Sequence, residues 1–192
     1  MKTQSSSADI KLEAATLWLG YNVGYFCFRS HFEKARKLSE EFFYFFQNLS
    51  RLGLKDSDIW KEAEEVAQKV GQEEVLLKPE IAEEISEKAF EWKKRLSNAV
   101  QKREAFWAGY NLIYLISQNR RASAGEISRE LFYLQQNLKS LGWATDILKQ
   151  VESALQEIQP LAQAVPLPEE SARKLEENCL NWRAKILSIL GE

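Results

Sequence analysis

Two stretches of this chain repeat each other at one constant spacing. Trp18-Leu-Gly-Tyr-Asn-Val-Gly-Tyr25 lies over Trp107-Ala-Gly-Tyr-Asn-Leu-Ile-Tyr114 at an offset of 89 residues, and the Trp, Gly, Tyr, Asn and second Tyr coincide. At the same offset Glu41-Phe-Phe-Tyr-Phe-Phe-Gln-Asn-Leu-Ser-Arg-Leu-Gly53 lies over Glu130-Leu-Phe-Tyr-Leu-Gln-Gln-Asn-Leu-Lys-Ser-Leu-Gly142. Pro79 matches Pro168 without a gap, and one added residue then aligns Trp92 with Trp182. A repeat of this length makes each copy one supersecondary unit, and two copies make a tandem bundle rather than a long solenoid. The boundaries that follow are a flexible N-terminal tail over 1–9, a first helical repeat over 10–100 and a second over 101–192.

The period inside each copy is helical. Leu38, Phe42, Phe45, Leu49 and Leu52 recur at alternating spacings of four and three, as do Ile127, Leu131, Leu134, Leu138 and Leu141, which is the stripe of an amphipathic helix. Gly53 and Gly142 stop these helices, and Leu54 and Trp143 supply the apolar residue that follows a glycine C-cap. A third helix is expected to start near Asp56 and Thr145, both good N-cap types, and to end before Gly71 and Pro160. Pro79 and Pro168 suit a first helical position, each followed by Glu at the positive end of the helix dipole. The fold class is thus all-α, a tandem duplication of a four-helix unit. Eight helices are expected, or seven if the helix across 79–118 is continuous. Against continuity, the seam Trp92, Leu96, Ala99 meets a charge at Arg103.

Composition limits the chemistry. With 26 basic and 28 acidic residues the net charge is −2, so no overall field recruits nucleic acid or an anionic membrane. Cys27 and Cys179 lack the close spacing of a disulfide framework and read as buried free thiols in a reducing compartment. The polar start carries no signal-peptide pattern, and the apolar run Leu17 to Phe28 is too short to span a bilayer. The expectation is a cytoplasmic protein without a membrane partner.

A single histidine, His31, cannot make the zinc, triad or di-iron sites that need His in company. It reads as a surface residue at the end of the first helix. There is no phosphate-binding glycine loop, since Gly24 of the first copy is Ile113 in the second. Gly20 and Gly109 instead mark places where two helix backbones approach closely. Glu40-Glu41, Glu73-Glu74, Glu83-Glu84, Glu169-Glu170 and Glu176-Glu177 are adjacent acids that point to different sides of a helix. They read as solvated surface. No enzyme, cofactor or metal is expected.

Two sets of residues remain as candidate binding surfaces. Tyr21, Asn22, Tyr44 and Asn48, with Tyr110, Asn111, Tyr133 and Asn137, are matched aromatic and amide positions. They either hydrogen-bond within the fold or line a twice-repeated groove for a protein partner. Lys93, Lys94, Arg95, Lys102 and Arg103 fall near the joint of the repeats, where Arg51, Lys55, Lys139, Arg183 and Lys185 would gather to form a basic waist. Such a belt holds phosphates by charge, although helix C-termini also attract cations. Arg29, Lys34, Arg36 and Lys37, with Arg120, Arg121 and Arg129, form a second basic group. The leading reading is a non-catalytic interaction or scaffold protein within a larger assembly, compatible with a homo-oligomer. The alternative is an RNA- or DNA-binding subunit of a ribonucleoprotein or defence complex that uses the waist.

Overall fold

The computed structural model describes residues 7–142 and 145–190. These form eight α-helices: α1 (Ser7–Arg29), α2 (Ala35–Arg51), α3 (Asp58–Ala67), α4 (Pro79–Ala99), α5 (Arg103–Gln118), α6 (Ala124–Leu141), α7 (Thr145–Ile158) and α8 (Glu169–Leu190). A 3₁₀ turn, Gln159–Leu161, follows α7. The all-α class is the observed one. Helix α1 already includes Ser7 to Asp9, so the expected tail is shorter by those residues, and its remainder lies outside the described residues.

By compactness the chain divides into Met1–Tyr110 and Asn111–Glu192. That division falls inside α5 and not at residue 100, because the start of α5 packs onto α1 within the first unit. Of the two alternatives the eight-helix one is observed, and no continuous helix runs over 79–118. Val100 caps α4 in an extended conformation (φ −77°, ψ 143°), and the Lys102 carbonyl then accepts from the Ala105 and Phe106 amides at 3.0 and 3.3 Å to begin α5.

In the first unit α1 packs on α2 and α4, with α3 closing between α2 and α4. The stripe read from the sequence is the buried face of α2, where Leu38, Phe42, Phe45 and Leu49 are each almost wholly enclosed. Phe26 stacks on Phe42 at 4.3 Å between ring centroids, and Phe45 stacks on Trp92 at 5.5 Å. The indole nitrogen of Trp92 donates to Glu62 at 2.9 Å, which satisfies the one polar atom of a buried ring. In the second unit α7 packs against α6 and α8. The buried Trp182 of α8 donates to Gln150 of α7 at 3.2 Å.

Helix ends follow local chemistry, with three corrections. Ser57, and not Asp56, caps α3 by accepting from the Trp60 amide at 3.2 Å, while Asp56 adopts a left-handed φ of 65°. Thr145 is the first residue of α7 rather than its cap. Pro79 occupies the first turn of α4 as expected, but Pro168 precedes α8 and its carbonyl accepts from Ala172 at 2.9 Å. Gly53 and Gly142 take the left-handed conformation that ends α2 and α6. Trp143, expected to follow as the apolar contact, lies outside the described residues. At the other end of these helices, Val75 and Ala164 carbonyls in the connectors accept from Ala35 and Ala124 at 2.8 and 3.1 Å, which occupies amides that a helix start leaves unpaired.

The buried positions of α4 and α8 match at an offset of 90 residues. Ala82, Ile85, Ala89, Trp92 and Leu96 are buried on α4, and Ala172, Leu175, Cys179, Trp182 and Ile186 on α8. Cys179 therefore corresponds to Ala89, not to Phe90 as an unbroken offset of 89 residues implies.

Both cysteines are buried free thiols. Burial pushes the Cys27 thiol up to about 12, against the opposing pull of the Lys93 ammonium and a Tyr110 hydrogen bond. Cys179, still more enclosed, is pushed higher, with Glu176 adding to the effect. The thiolate is the nucleophile, so iodoacetamide is expected to label neither cysteine in the folded protein on the timescale that labels both in denaturant. Rapid native labelling by mass spectrometry would contradict this burial. A thiol held protonated by folding contributes stability below its ordinary range and loses it as pH rises toward the folded value, so denaturation midpoints should fall above about pH 9.

Candidate interaction surface

The matched amides come together, but inside the fold. Asn22 on α1 donates from Nδ2 to Oε2 of Glu41 on α2 at 2.8 Å, and Asn48 on α2 donates to Oδ1 of Asn22 at 2.9 Å. The same triad recurs in the second unit. Asn111 donates to Glu130 at 2.7 Å and Asn137 donates to Asn111 at 3.0 Å. Tyr25 lies near Glu41, and burial followed by the Glu33 and Glu41 carboxylates drives its phenol well above the usual range. Tyr114 is raised in the same direction by burial, Glu126 and Glu130.

This geometry corrects the expected groove. Tyr21, Asn22, Asn48, Tyr110 and Asn111 are all buried, and Asn137 is half-buried with its amide committed to Asn111. The amides tie α1 to α2 and α5 to α6, and each bond satisfies a polar group that burial takes from water. Of the eight positions, Tyr44 and Tyr133 alone are open to solvent.

What stands outside is an aromatic step on each of two helices. Phe43 and Tyr44 on α2 are 59% and 51% exposed, and Phe132 and Tyr133 on α6 are 47% and 47% exposed. Within each step the rings touch edge or tilt, at 5.6 Å and 6.0 Å between centroids. Sequence position carries a signal for this. Phe43 and Phe132 each fall one residue after a stripe position, which turns the side chain about 100° away from the core on a 3.6-residue helix. A cavity of about 240 Å³ beside the first step is lined by Ser39, Glu40, Phe43, Tyr44 and Gln72. Phe90 on α4 and Leu180 on α8 are each exposed as well, and both are absent from the candidates that the sequence suggests. Each directly follows a small buried residue, Ala89 or Cys179.

The basic residues are dispersed by their pairing. Arg95 donates to both oxygens of Glu62 at 2.8 and 2.9 Å, and hydrogen bonds from Arg95 and Trp92 hold the Glu62 carboxyl below its ordinary range despite partial burial. Lys102 pairs with Glu13 at 3.1 Å and Asp9 at 3.4 Å. Lys93 sits over the Phe90 and Tyr110 rings at 5.1 and 5.2 Å. Arg51, Lys55, Lys94 and Arg103 are exposed in the first unit, while Lys139 and Lys185 are exposed and Arg183 half-buried in the second. The second basic group is largely neutralised. Arg29 pairs with Glu33, Lys34 and Arg36 with Glu74, Lys37 with Glu40, and Arg120 with Glu169 and Glu176.

His31 is exposed just past α1, 3.2 Å from Glu83. Among the described residues no group of three or more His, Cys, Asp or Glu side chains is placed to share a metal ion. No described helix is long and apolar enough to cross a membrane. Comparison with protein-family models, curated proteins and solved structures returns no match for this chain.

Proposed function

We propose that the chain is a non-catalytic helical interaction protein, a subunit of a larger assembly, which engages a protein partner through the Phe-Tyr steps of α2 and α6. The observation that carries this reading is the recurrence of the same two exposed aromatics at matched positions, Phe43-Tyr44 and Phe132-Tyr133. Single exposed apolar residues are ordinary on any surface. A two-residue aromatic step that recurs in both copies is not scattered in that sense, and Tyr and Phe are enriched where partners dock. Their side chains are absent from the core, so replacing them leaves the packing that supports each helix untouched.

The test is Phe43→Ala, Tyr44→Ala, Phe132→Ala and Tyr133→Ala combined. The variant is expected to keep the helical content and melting temperature of the parent while losing the partner that crosslinking and mass spectrometry identify on the parent chain. Retention of the same crosslinks at unchanged yield would remove these steps as the binding surface.

RNA or DNA is the alternative partner, and the exposed Phe90 with Lys93 and Lys94 one turn further along α4 favours it. Cations interleaved with an exposed ring are the composition of single-strand binding surfaces. Its test is binding to fluorescent RNA and DNA at about 50 mM and about 200 mM salt, a range over which phosphate contacts weaken steeply. Salt-sensitive binding abolished by Lys94→Glu and Arg103→Glu would put nucleic acid first.

A further inference from the structure

The outward faces of α2 and α6 agree at their aromatic and amide positions and reverse sign at two charged ones, Lys37 against Glu126 and Glu40 against Arg129. Down α2 the row is Lys37, Glu40, Tyr44 and Gln47, with Phe43 beside the tyrosine; down α6 it is Glu126, Arg129, Tyr133 and Gln136, with Phe132 beside it. Spacings of three and four place each set in one line along its helix. Glu40 is half-buried and the other residues of both rows are exposed, so neither row is covered within the chain.

Lysine has become glutamate and glutamate has become arginine, while Phe, Tyr and Gln are kept. Read from the N-terminal end, the α2 row carries plus then minus, and the α6 row minus then plus. Set parallel in the register of the aromatic steps, Lys37 faces Glu126, Glu40 faces Arg129, Tyr44 meets Tyr133 and Gln47 meets Gln136. Two α2 rows, or two α6 rows, in that register would oppose like charges at both positions, which disfavours the pairing. An antiparallel arrangement with the tyrosines opposed would set Glu40 against Gln136 and Arg129 against Gln47 and leave those two charges unmatched. The line of positions every three and four residues is also the seam along which parallel helices pair.

We infer that the partner for the α2 face is the α6 face of a second copy of this chain, docked parallel through the aromatic steps and the two reversed charge pairs. This rests on the reading that the steps are partner surfaces, and it names the partner. Because the two faces differ, the contact is heterologous and either closes into a ring or extends as a filament.

The test uses the purified full chain and the pair Glu40 and Arg129. Glu126 is left unchanged because its carboxylate also accepts from the Ser123 amide and hydroxyl in the α6 capping box. Sedimentation from about 1 µM to about 1 mM, the range of modest affinities, should give masses rising above the 22.2 kDa of one chain. Glu40→Arg alone sets arginine against arginine, and Arg129→Glu alone sets glutamate against glutamate. Each is expected to weaken association about tenfold or more, and the double variant to restore it, with helical content unchanged throughout. A monomer at every concentration overturns the inference, as does parental association in both single variants or a double variant no better than the singles. A monomeric chain whose aromatic steps still bind another protein would overturn the self-pairing and leave the partner-surface reading standing. That reading fails separately, if the four-alanine variant keeps its partner.

Discussion

Replacing Gly109 with alanine is expected to lower the free energy of unfolding by about 3 kcal/mol or more, as is replacing Gly20. Helix propensity alone points the other way, since alanine is favoured over glycine by about 1 kcal/mol inside a helix. Contact decides the sign. A Cβ on Gly109 would lie 1.9 Å from the Leu17 carbonyl oxygen and 2.9 Å from the Tyr21 amide nitrogen, and one on Gly20 would lie 1.9 Å from the Phe106 carbonyl oxygen. These neighbours are backbone atoms of α1 and of the start of α5, which no change of rotamer can move aside. The two glycines face each other across one crossing, so a helix shift that admits one methyl makes room for the other. The double variant should therefore cost less than the sum of the singles. Gly125 is the control, because its added Cβ would meet nothing closer than the Ala162 oxygen at 3.4 Å. Urea denaturation of the two singles, their double and the control against the parent checks all of this. A loss below about 0.5 kcal/mol in both single variants, the range of ordinary surface changes, would mean that the crossing is not as tight as described.

Asn22→Leu, and Asn111→Leu in the second unit, are expected to cost about 2 to 3 kcal/mol each, because an abandoned buried polar group costs about 1 to 3 kcal/mol. Leucine branches at the same carbon as asparagine, so no cavity is opened. The loss comes from removing the acceptor of the Asn48 or Asn137 amide and a donor to Glu41 or Glu130. Asn22→Leu combined with Asn48→Leu should be less damaging than the two losses added, because the second substitution removes one of the groups that the first left behind. Thermal and urea unfolding of Asn22→Leu, Asn48→Leu and their double variant measures the coupling. The outcome also separates the two readings of these amides. A recognition residue would lose a partner and keep its stability; a residue that ties two helices loses stability.

Much of the fold is legible in the order of the amino acids, and the reason is periodicity. The stripe from Leu38 to Leu49 dictates which side of α2 is buried whatever packs on it, and Gly53 and Gly142 mark stops that a residue with a Cβ would strain to make. Gly20 and Gly109 announce a close helix crossing because both matched segments hold glycine inside a helix, where it is otherwise a disadvantage. Local competition is less legible. Asp56 and Ser57 are both good caps, and only the path of the chain selects the serine.

The candidate surface is legible only in part. Tyr21 and Tyr44 look alike in sequence, a tyrosine close to an amide in an aromatic segment, yet one is buried and the other is open. The amides need a third member, Glu41 or Glu130, and the signal for it in the sequence is that these two acids match at the 89-residue offset whereas Glu40 is answered by Arg129. The basic waist is a set of neighbouring cations in sequence, but Arg95 and Lys102 find their carboxylates on α3 and α1, far away along the chain.

The sequence by itself determined the helical class, the buried stripes and the glycine positions, because periodicity and steric freedom are properties of the chain. Only the tertiary structure decided where α4 ends, which matched polar residues turn inward to satisfy one another, and which aromatics are left in solvent. Those outcomes depend on what another helix presents opposite each side chain, and no local pattern contains that partner.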